Sequence, residues 1–308
     1  MSPPSLASAA ATLRAALLDA VWAQWRSIGV GATGGKLCRS IVDPEALVYA
    51  SFWLENAEPR LAKILRMWAA SGSQMMSLQR MKNLLDEYPS SVQAKLPGFA
   101  WQSITHGKDA RWKQLARAPQ AVREGWKVDN ASPVLASPGA LILRLRVGLG
   151  VGIKADVLAY LAGLAGGRAT ISSIATATHY YPRAVRKAVE DMIAARFVET
   201  LATSPATCRL RRGWLTLLEL GDTPPPWCYW QELFAFGARL DEAAAEPQQV
   251  STYLQSSRAR DLMEGHAAAF FLNAVESSNP TDSLGEAYLS AFASDVARLS
   301  ERIHNNFV

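Results

Sequence analysis

The chain has 308 residues, of which 49% are hydrophobic and 19% charged, and its formal net charge is +5 at pH 7. This composition excludes a disordered polyelectrolyte and leaves room for two or three domains with sizeable cores. The charge is uneven: residues 1–138 carry +6, residues 139–222 carry +5 and residues 223–308 carry −6, so the first two thirds attract a polyanion and the last third repels one.

Residues 1 to about 12 are rich in Ser, Ala and Pro and are expected to fray. A helix follows from Leu13 to Ser27, then a glycine-rich loop from Gly29 to Lys36. Asp43-Pro44-Glu45 opens a second helix with a cap, a proline at its first position and an acid in its first turn. Glu58-Pro59 starts a third helix, and Ser77 caps a fourth. Residues 1–90 therefore read as an all-α bundle, and the short helices from Asp43 to Leu85 also fit a degenerate helix-turn-helix.

Lys108, Arg111, Lys113, Arg117, Arg123 and Lys127 alternate with Trp101, Trp112 and Trp126. Such a pattern can stack on bases, but a linker helix seated on the bundle by its tryptophans is the preferred reading. Asp129 to Gly139 reads as a boundary loop. Leu141 to Leu149 reads as a short strand or as the opening of the next unit.

From Gly152 to Leu220 the order is helix, helix, turn, helix, hairpin. Thr170 caps the helix that begins at Ile171, and about four residues, Thr178 to Tyr181, separate it from the next. Pro182 suits the first turn of that next helix. At 100° per residue, Val185, Ala188, Val189, Met192 and Ile193 fall on one side, and Arg183, Arg186, Lys187 and Glu190 on the other. Two alternating segments around Thr203-Ser-Pro-Ala-Thr207 form the hairpin, and Arg209, Arg211 and Arg212 are expected to charge its tip. Gly221 to Pro226 is a proline-rich linker. Beyond it, Trp227 to Ala245, Val250 to Val275 and Ser283 to Phe307 read as helices of an acidic module.

This central stretch resembles the winged helix-turn-helix superfamily, in the style of MarR-type and ArsR-type regulators. Where the family form is Ser-Pro-Arg-x-Val-Arg-x-Ala, this chain has Tyr181-Pro-Arg-Ala-Val-Arg-Lys-Ala188. Thr178-His179 stands where many such turns carry Gly, and His tolerates left-handed backbone better than most residues. The resemblance covers about a quarter of the chain. It implies double-stranded DNA as partner, with the helix from Pro182 in the major groove. The expected contacts are Thr170, Ser172, His179, Tyr180, Tyr181, Arg183, Arg186, Lys187, Arg209, Arg211 and Arg212. One recognition helix reads few base pairs, so a homodimer on a paired half-site is expected.

Other chemistries are not supported. A Gly-Lys pair at Gly35-Lys36 would need glycine where Val30 stands for a phosphate loop, and Leu37 follows in place of Ser or Thr. His106, His179, His266 and His304 are scattered, and no nucleophile triad or paired-carboxylate motif is present. Cys38, Cys208 and Cys228 lie far apart, without a histidine at ligand spacing. The best membrane candidate, Val147 to Ala165, is broken by Lys154 and Asp156.

The expectation is thus a cytoplasmic, mainly α protein that is not an enzyme and needs no cofactor, metal or membrane. It comprises a helical N-terminal domain (1–138), a winged helix-turn-helix with a small β-hairpin wing (139–222) and a helical C-terminal domain (223–308) open to a protein partner or small-molecule effector. Its expected function is transcriptional regulation. The alternative is a winged-helix interaction or accessory subunit of a nucleic-acid-processing or defence system.

Overall fold

The computed structural model describes residues 5–31, 34–118, 133–220, 224–245, 251–281 and 285–308. The protein is mainly α, with one small antiparallel sheet. The first helix, α1, runs from Leu6 to Ser27, so the chain is ordered well before Leu13. Its start is fixed by a capping box, in which Ser5 and Ser8 satisfy each other's orphan groups.

Among the described residues, α1 is the helix long and apolar enough to cross a membrane by length and composition, a candidate that sequence reading passed over in favour of Val147 to Ala165. In the fold it is a core helix: Leu13, Leu17, Val21 and Trp25 are at most 1% exposed. Trp25 donates its indole N–H to Ser51 Oγ at 3.0 Å and meets the Trp68 ring edge-on at 5.5 Å.

Helix α2 (Pro44–Leu54) begins as expected, with Asp43 capping the Ala46 N–H. Helices α3 (Arg60–Ser71), α4 (Leu78–Leu84, capped by Ser77), α5 (Ser90–Gln93) and α6 (Leu96–Thr105) complete the bundle. The seven-residue α4 is followed by a 3-10 turn rather than a strand, and Arg80, Met81 and Leu84 on it are buried. Gln79 and Lys82 remain exposed on its outer side. Trp112 is fully buried and packs edge-on against Phe99 at 5.3 Å, which makes it a seating residue. Arg123, Trp126 and Lys127 lie outside the described residues, as do parts of the loops at Gly29–Lys36, Asp129–Gly139 and Gly221–Pro226.

The stretch from Leu141 is a helix, α7 (Leu141–Leu149), not a strand. Then come α8 (Ile153–Gly163), α9 (Ile171–Thr178) and α10 (Pro182–Ala194), the hairpin β1 (Val198–Leu201) and β2 (Thr207–Leu210), and a single turn of helix, α11 (Trp214–Leu217). The strands pair with Val198 opposite Leu210 and Leu201 opposite Thr207. A third segment joins the sheet edge, because Ala169 and Cys208 exchange both backbone hydrogen bonds, at 3.0 and 2.8 Å.

The C-terminal part holds α12 (Trp230–Ala244), α13 (Thr252–His266), α14 (Ala268–Phe271) and α15 (Ala287–Asn306). α12 and α15 both pack on α1, and α12 also packs on α2. The approach of α12 requires Gly237, since a Cβ there would sit 2.6 Å from Leu17 and 2.7 Å from Trp53. Buried apolar side chains from all three segments form one contiguous cluster.

Candidate nucleic-acid interface

Helix α10 divides as its spacing requires. Val185, Ala188, Val189 and Met192 are buried, while Arg183, Arg186, Lys187 and Glu190 are exposed. The turn before it is sharp because His179 adopts a left-handed conformation, φ 52° and ψ 39°. Tyr181 precedes Pro182 with extended backbone and is 72% exposed. The N-terminal half of α10 therefore presents Tyr181, Arg183, Arg186 and Lys187 to solvent together. Lys187 shares Asp191 with Lys154 of α8, at 3.0 and 2.9 Å. The hydrogen bonds from Lys154 and Lys187 hold the Asp191 carboxyl below its ordinary range.

On α9, Ser172 is exposed, while Thr170 serves as the cap, its Oγ1 accepting from the Ser173 N–H at 3.1 Å. Two expected contacts point elsewhere. Tyr180 is 8% exposed, and its hydroxyl lies 2.9 Å from Asp156 Oδ2 and 2.8 Å from Ser77 Oγ, so it holds the turn inward and cannot reach a groove. His179 is half-buried, with Nε2 3.6 Å from Glu232 Oε1 of α12.

The hairpin also corrects the sequence reading. Its tip is Ala202-Thr-Ser-Pro-Ala206, without charge. Arg209 lies within β2 and spends its charge on Glu199 directly across the sheet, at 2.5 Å. Arg211 and Arg212 follow β2 and stand exposed at the base of the hairpin. The arginine run begins too late in the strand to reach the tip. Arg196, in a left-handed conformation at the end of α10, and Arg168, beside the sheet edge, join this basal group. Neither was named as a contact from the sequence, where Arg196 only opened the first alternating segment of the hairpin. The cations thus form two groups, one on the N-terminal half of α10 and one beyond its C-terminal end, about 14–20 Å apart along the helix at 1.5 Å per residue.

Beneath the turn lies a sealed network of charges. Arg80 binds Asp43 at 2.6 Å and Glu45 at 2.7 Å, and donates from Nε to the Thr178 carbonyl at 2.9 Å. Arg146 binds Glu45 and Asp156, each at 2.7 Å. These five side chains are at most 2% exposed. Burial alone would raise the Asp43 carboxyl, but the Arg80 charge and hydrogen bonds outweigh it and hold Asp43 below its ordinary range. Asn83 adds a hydrogen bond to the His179 carbonyl. The network positions the turn against α2, α4, α7 and α8.

Among the described residues no group of three or more His, Cys, Asp or Glu could hold a metal. Cys38, Cys208 and Cys228 are all buried, and desolvation pushes the Cys38 and Cys208 thiols up to about 11. Comparisons with protein-family models, curated proteins and solved structures return no match.

Proposed function

We propose that the protein binds double-stranded DNA through the unit α8–β2, with α10 as recognition helix, and acts as a transcriptional regulator. The observation that carries this reading is the exposed cationic half of α10, held outward by a rigidly anchored turn while the opposite face is buried. Arg183 and Arg186 supply base and phosphate contacts, and Tyr181 and Ser172 flank them. An arginine bidentate to guanine contributes about 1–3 kcal/mol of base discrimination. The uncharged hairpin tip leaves most of the affinity with α10, so a second copy on an adjacent half-site is the economical arrangement.

The test is binding to the duplex upstream of the protein's own coding sequence, measured from low to moderate salt. Replacing Arg183 and Arg186 with Ala is expected to weaken binding at least tenfold and to reduce the salt slope by about two, each phosphate contact being worth about 0.9. Unchanged affinity and slope would remove the assignment.

A second reading is favoured by one observation. Lys187 and Arg209 are already paired with Asp191 and Glu199, and the tip is uncharged, which also suits a protein-docking module. Capture of a protein partner that survives nuclease treatment, with no DNA retardation at low salt, would favour it.

A further inference from the structure

Where the two ends of the central unit meet, α7 and α11 enclose an open groove of about 300 Å³, lined by Leu145, Gly148, Leu149, Trp214, Leu217 and Leu218. Leu217 is 71% exposed and Leu149 46%. A single exposed leucine is ordinary on a protein surface, but two converging on one apolar groove mark a surface that gains by being covered. Gly148 adds backbone access, because a Cβ there would meet nothing within 4 Å.

The groove also carries one charge of each sign. Arg144 and Glu219 both line it, and among the described residues neither has an ion-pair partner. Arg144 donates only to the Leu218 carbonyl, and its buried Nε has no acceptor. An apolar surface with one unpaired cation and one unpaired anion is complementary to itself. In a twofold interface each residue i meets residue j of the other copy, and j meets i. Arg144 is held at the Leu218 carbonyl, next in the chain to Glu219, so two such grooves related by a twofold axis can bring Arg144 of each copy to Glu219 of the other while their leucines cover one another.

We infer that the α7–α11 groove is the docking surface for a second copy of this chain. The inference extends the paired half-site proposed above, but its measurement needs no DNA, so either can fail alone. DNA, a polyanion that Arg144 could also attract, is disfavoured by Glu219 in the same groove.

The experiment is sedimentation of the full-length protein at about 50 μM without DNA. A dimer is expected. Leu217→Glu, at a side chain already in solvent, is expected to sediment as a monomer with an unchanged melting temperature. Arg144→Glu and Glu219→Arg are each expected to be monomeric alone. Mixed in equal amounts they are expected to form a dimer, because both cross-pairs in the mixed assembly again unite opposite charges. A monomeric wild type would overturn the inference. So would a dimer unaffected by Leu217→Glu, or two monomeric charge variants that stay apart when mixed.

Discussion

Arg80 shows how a single side chain decides the local physics. It is wholly buried between Asp43 and Glu45, and its Nε reaches the Thr178 carbonyl. Truncating it leaves two carboxylates desolvated and unpaired. Arg80→Ala is therefore expected to cost about 3–5 kcal/mol in urea unfolding, although the intact pair contributes far less than that to net stability. The pH dependence follows from Asp43. Its folded carboxyl is held low by Arg80, so the stabilisation is complete above the ordinary aspartate range near ~3.9 and is lost as pH falls through the lower folded value. In Arg80→Met that support is gone. The stability gap between wild type and variant is expected to narrow below about pH 4, and a gap constant from pH 7 to pH 3 would contradict the assignment. None of this was legible in the sequence. Arg146 lay in a stretch that read as a short strand or as the opening of the next unit, with nothing to mark it as buried, and Asp156 read as a break in an apolar run. A buried ion pair looks like a solvated charge until the fold brings its distant partner to it.

At the scale of elements, the helix–turn–helix was the most legible part. The Thr170 cap, Pro182 in the first turn and the buried side of α10 all follow from local rules. What failed was the orientation of residues in the turn and hairpin, because a turn residue has no periodicity to assign its side. Tyr180 faces inward to Asp156 and Ser77. Tyr180→Phe leaves both short of a partner and is expected to cost about 1–3 kcal/mol of stability by denaturant midpoint, while DNA affinity stays within twofold. A loss of affinity with the melting temperature retained would restore Tyr180 to the interface. Met192, 2% exposed beneath α10, gives the packing counterpart. Met192→Ala is expected to cost about 2–5 kcal/mol.

For the whole molecule, the sequence separated three segments by composition and linkers, and the acidic sign of the last suggested a module of its own. The structure joins them by surfaces that no local signal announces. Helix α1 is buried against α12 and α15, and the α12 approach depends on Gly237. The all-α character was legible because helical periodicity is local; the pairing of first and last helices was not, because it is set by shape across the full length of the chain. A fragment ending at residue 222 strips the cover from Leu13, Leu17 and Val21. It is expected to lose cooperative unfolding and to bind hydrophobic dyes, whereas the intact chain is expected to unfold in one calorimetric transition. Two resolved transitions in the intact chain would contradict the shared core.

That shared core has a temporal side. A ribosome adding about 5–20 residues per second delivers the last helix roughly 15–60 s after the first. Trp25 meets Ser51 and Trp68 early in that interval, but the side of α1 that α12 and α15 cover stays bare until they arrive, so a chain interrupted before residue 230 is expected to aggregate unless it is held by chaperones.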